Sequence, residues 1–180
     1  MPLSEADAQA ALADVNAAMT QSATLRGYQA MSPHLIIWGL VWMAGYTASY
    51  VIPAWSGLLW LGLVPLGVAG DIFAGRADSG GPMPAALYGL MGVFGVFAVS
   101  VIAVMQPHDP RQTGAFFPLL IAAGYGVFGS FGAPRVLALG AALAALTLAG
   151  FFTLGDIFSL YMAVVGGGGL ILGGLWLRRA

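Results

Sequence analysis

His34, Trp38, Trp42, Gly45 and Ser49 recur at three- and four-residue intervals, so on a helix they share one face, with Tyr46 at its edge. Rings stacked in this way can border a cavity for a flat or lipophilic solute, or hold a cation over their faces. They suit a membrane surface equally well, where headgroups or neighbouring helices satisfy the ring N–H and O–H groups. His34 heads the stripe and is one of two histidines. It is expected to be a hydrogen-bonded interfacial residue, with a pH-sensitive role as the sharper alternative.

Asp71 is the most notable acid, five residues before Arg76 near the end of an apolar run. It would either terminate a helix at the membrane surface or stand beside His34. Asp156 is expected to cap a helix N-terminus, where a carboxylate meets the positive end of the dipole. His34 with Asp71, or His108 with Asp109, offers two metal ligands and lacks a third. The two histidines fall at opposite ends of the membrane, roughly 25–30 Å apart given a ~30 Å hydrocarbon core. No metal and no cofactor is expected.

Three helices carry weak points: Pro65 with Gly62, Gly67 and Gly70; Gly124 with Gly126; and Gly166 through Gly169. Such segments can unwind and offer backbone carbonyls to a solute at the midplane. Alternatively they let helix axes approach, as Gly89-x-x-Gly92-x-x-Gly95 and Gly169-x-x-x-Gly173 suggest. The candidate solute-facing set is therefore His34, Trp38, Trp42, Tyr46, Pro65, Asp71, Gly166 and Gly167.

Much chemistry is excluded. There is no cysteine, and all six basic residues are arginine, which rules out thiolate catalysis, disulfides and Ser-Lys dyads. No G-x-S-x-G, H-E-x-x-H or G-x-x-x-x-G-K run is present, so no enzyme is expected. A net charge of -1 supplies no cationic surface for nucleic acid.

The elements that must position these residues are marked by the charges. The chain has 180 residues, 59% hydrophobic and 7% charged, a membrane composition. The uncharged runs 136–155 and 157–177 each approach the ~20 residues that cross the hydrocarbon. Runs 83–105 and 112–134 are separated by Gln106-Pro107-His108-Asp109-Pro110-Arg111, and 35–70 is broken by Pro53-Ala54-Trp55-Ser56-Gly57. The expected fold is all-α: a polytopic membrane protein with six transmembrane helices in three hairpins, opened by Pro33, Pro84 and Pro134, spanning 31–180. With the N-terminus inside, Arg26, Arg76, Arg135, Arg178 and Arg179 are cytoplasmic and only Arg111 is outside, as arginine retention favours. Arginine without lysine, beside 27 Gly and abundant Ala, suggests a GC-rich bacterial source and its inner membrane.

Residues 1–30 are expected to form a cytoplasmic amphipathic helix and linker. Ser4 and Asp7 resemble a short-armed capping box, and Leu12, Val15 and Met19 form a narrow apolar stripe. This helix is expected to lie against its own bundle, or to make a coiled-coil-like contact with another protomer. Anchoring on anionic lipid is disfavoured by three acids against one base. Gly27 and Pro33 should end it.

Three tandem hairpins with Gly-rich even-numbered helices resemble, in architecture, the HdeD-type six-helix proteins of bacterial inner membranes. Size and span number resemble the substrate-binding subunits of energy-coupling-factor vitamin transporters. Both likenesses cover roughly residues 33–179, and neither carries a motif or a functional residue over. Two functions are expected. One is binding or passage of a small neutral or lipophilic solute through an oligomeric bundle. The other is an accessory or regulatory membrane protein that docks a partner through its N-terminal helix. The partners are the lipid bilayer and either further copies or a membrane protein.

Overall fold

A computed structural model describes residues 5–79 and 85–179. Ser4 and Pro84, to which a cap and a hairpin opening were assigned above, lie outside the described residues. The described chain is helical, with no strand among the described residues: α1 (Glu5–Val51), α2 (Pro53–Ser79), α3 (Ala85–Met105), α4 (Pro110–Ser130), α5 (Pro134–Thr153), α6 (Phe158–Tyr161), a π-helical segment (Met162–Gly167) and α7 (Gly168–Arg178). A 3-10 turn, Gly155–Ile157, leads into α6. Among the described residues four helices are long and apolar enough to cross a membrane: Pro53–Gly75, Pro110–Ser130, Pro134–Thr153 and Gly155–Arg178. Proline at the first turn starts α2, α4 and α5, where its missing N–H costs no hydrogen bond.

The expected break between an N-terminal helix and a first span is absent. α1 runs through Gly27 and Pro33 for 47 residues, about 70 Å at 1.5 Å per residue. Proline there removes one backbone donor, but tertiary packing holds the helix on course. A Cβ on Gly174 would stand 2.9 Å from both the Ser32 carbonyl oxygen and Ile36 Cγ1, so α7 presses directly on the turn around Pro33. Pro33 therefore lies inside a helix and opens none. Nor does the N-terminal part lie against its own bundle: residues 9–23 are exposed throughout.

The interior is built on α1, which packs against α2, the π segment and α7, while α4 pairs with α5. Glycines set the close approaches: a Cβ on Gly140 would stand 2.8 Å from the Ala122 carbonyl oxygen, and one on Gly173 2.8 Å from Leu139 Cδ2. On α3, Val93, Val96, Val99 and Val104 are exposed and Ala98 is buried. Gly89, Gly92 and Gly95 there have no neighbour within reach of an added Cβ.

The charges divide between two ends. At one, the Arg135 guanidinium lies over the rings of Tyr28 (5.6 Å) and Trp176 (5.2 Å), and the Arg135 N–H donates to the Tyr28 hydroxyl. Arg26, Arg178 and Arg179 are within a turn of these residues. At the other, Asp109 caps α4, accepting from the Arg111 N–H and Nε at 2.8 Å each, and Arg111 reaches over Phe151. Asp156 departs from expectation. It sits within the 3-10 turn behind Leu154, with no side-chain cap there, because Gly155 at φ 49° redirects the chain before a regular first turn forms.

Candidate functional site

Four-residue spacing places His34, Trp38, Trp42 and Tyr46 along α1, and the structure shows what covers each. Trp42 and Tyr46 are buried. Tyr46 meets Trp42 edge-on at 5.9 Å and Trp60 of α2 at 5.3 Å, the T-shaped arrangement that suits ring quadrupoles. Its hydroxyl donates to the Gly114 carbonyl of α4. Gly45 admits the Trp60 ring, since a Cβ there would overlap it, and Trp60 Nε1 donates to Ser49 Oγ. This half of the stripe is a filled ring cluster joining α1, α2 and α4.

The other half reaches Asp71. Gly67 and Gly70 of α2 lie against Val41, Trp38 and Ile37, with an added Cβ only 3.2 Å from Val41 Cγ2 or Ile37 Cγ2. That approach carries Asp71 onto α1. A single oxygen, Oδ2, is hydrogen-bonded to His34 Nδ1 at 2.8 Å and accepts from Trp38 Nε1 at 2.6 Å. Asp71 is buried, its Oδ1 has no hydrogen-bond partner, and the His34 ring forms the accessible side of the pair. A carboxylate withdrawn from water needs such donors, since an unpaired charge in low dielectric is strongly disfavoured. Chemically the arrangement is a polar tie between two helices.

Gly166 and Gly167 lie in the π segment and are buried. A Cβ on Gly166 would stand 2.8 Å from Met162 Cε and 3.4 Å from Trp42. Gly167 meets Gly39 of α1 backbone to backbone. Pro65 is brought to none of these groups; it is exposed on α2. The structure thus gathers His34, Trp38 and Asp71 at one place and Trp42, Gly166 and Gly167 at another. Sequence reasoning missed the Tyr28–Arg135–Trp176 bracket, whose members come from three distant parts of the chain and share no local pattern.

Between α5 and the π segment lies a cavity of about 60 Å³, bordered by Leu143, Thr147, Met162, Gly166 and Leu170 among others. Among the described residues no three His, Asp or Glu side chains come close enough to hold a metal ion.

No family model, no curated protein and no solved structure matches this chain.

Proposed function

We propose that this chain is a six-crossing, non-enzymatic protein of a bacterial inner membrane, with both ends cytoplasmic, that anchors a helical arm and docks a partner protein through it. Its six crossings comprise the four long apolar helices, the second half of α1 and α3.

The observation that supports this reading is the exposure of the arm's apolar stripe. Leu12, Val15 and Met19 are 63%, 54% and 65% exposed, on a helix continuous with the bundle's central element. Only about 20 residues of α1 are needed to cross the hydrocarbon. The remainder projects roughly 40 Å beyond it at 1.5 Å per residue. In water an uncovered stripe on a rigid rod is the signature of a helix awaiting a neighbour.

The same face continues in alternating steps of three and four to Ser22 and Arg26, the spacing of a coiled-coil seam, with Asp14 to one side of it. A second copy in parallel register would set Arg26 against Arg26. The partner is therefore a different protein, presenting an apolar helix or groove with an acidic group at the Arg26 level. A solute path along the α1 rings has less support, because Trp42 and Tyr46 pack on their neighbours.

The test is site-specific photocrosslinking in intact cells, with a benzophenone amino acid at Met19 or at Asp14. One discrete protein adduct from Met19, none from Asp14, and its loss in L12E/V15E is the expected result. Equal adducts from both positions, or none from Met19, overturn the reading.

A further inference from the structure

Five helical hydroxyls of this protein are satisfied in one way. Thr20, Thr24, Ser49, Ser130 and Thr153 each donate to the carbonyl four residues back, the usual way a helix satisfies a hydroxyl without water. Thr147 departs from this. It is fully buried, with no exposed surface, and its Oγ1 has no partner. It also borders the cavity of about 60 Å³ between α5 and the π segment.

Gly166 and Gly169 present no side chains, and the π segment widens the helix there. π turns inside α-helices recur at functional sites. The border is otherwise aliphatic, with Leu139, Leu143, Leu146 and Met162, and no charged residue takes part. Ala142, Leu146 and Gly169 are exposed, so the mouth opens on the lateral surface of two apolar spans. An occupant must then be neutral, arrive from the bilayer, and bring one oxygen able to pair with a hydroxyl.

We propose that this pocket binds the polar head of a neutral lipophile carrying a single hydroxyl or carbonyl oxygen, with Thr147 Oγ1 as its hydrogen-bond partner. A 150 Å³ cavity takes the six carbons of benzene, so about two or three heavy atoms fit here. The head enters and the tail stays in lipid. The site is separate from the arm of α1 and independent of a protein partner.

The test uses the purified full chain in lipid nanodiscs and an eight-carbon alkanol bearing a diazirine at its third carbon, with adducts mapped by mass spectrometry. Adducts should concentrate on Leu143, Leu146 and Met162 and be competed by 1-octanol but not by octane. The isosteric T147V should lower them by about fivefold, the worth of one hydrogen bond, with the thermal transition retained. G169L, which fills the mouth without touching Thr147, should lower them likewise. Adducts spread evenly over exposed positions such as Leu61 and Phe152, or unchanged in both variants, would overturn the proposal.

Discussion

Gly39 of α1 and Gly167 of the π segment lie backbone to backbone: a Cβ on Gly39 would stand 2.7 Å from the Gly167 carbonyl oxygen, and one on Gly167 2.8 Å from that of Gly39. Neither carbonyl can yield as a side-chain tip would. In lipid, where apolar surface gains little by leaving its solvent, such close approach is a main source of helix association. G39A or G167A should therefore force the helices apart and destabilise the fold by about 1–3 kcal/mol. G168A, whose Cβ would point into open space, is the control. Thermal unfolding in detergent reads the contrast, and equal transitions for G167A and G168A would remove the role assigned to this contact.

Asp71 holds α2 to α1 through one oxygen with two donors. D71A leaves the His34 and Trp38 N–H groups unpaired at a partly buried site, at a cost of about 2–3 kcal/mol. D71N retains an acceptor and should fall between D71A and wild type. A D71A protein as stable as wild type would show that the tie contributes nothing.

The Arg111 side chain and backbone N–H, hydrogen-bonded to Asp109, hold its carboxyl below the usual carboxylate range. A lowered folded-state value means that the stabilisation is present above the unfolded value and is lost as pH falls through the folded one. The stability difference between wild type and D109A should be constant above about pH 5 and shrink toward pH 2–3. A difference that grows on acidification contradicts the cap geometry.

Arm and bundle should respond to truncation to very different degrees. L12A/V15A/M19A removes only exposed side chains and should shift stability by no more than about 0.5 kcal/mol. Tyr28, three turns further along the same helix, is buried beside Arg135, and Y28A should cost about 2–4 kcal/mol. Chemical denaturation in mild detergent distinguishes them.

Orientation is open to direct labelling because the chain has no cysteine. In intact cells an impermeant maleimide should label T113C, beside the lone arginine of its end, and leave S79C unlabelled. The reverse pattern would invert the proposed orientation.

Composition and charge spacing determined that the chain is helical and apolar, and, to within about two residues, where α5 and the last span begin and end. Those features depend on local transfer free energy and proline chemistry, which a window of sequence contains. Spacing also put His34, Trp38, Trp42 and Tyr46 on one face, yet could not say that Trp60, Gly114 and Asp71 would cover it. Tertiary structure decided that Pro33 stays helical, because Gly174 packs on the turn it would have broken. It left Leu12, Val15 and Met19 uncovered, set Pro65 outside, and gave Arg135 the rings of Tyr28 and Trp176. Each of these depends on which surfaces meet across many residues of chain, and the energy of that meeting exceeds the local preference that the sequence displays.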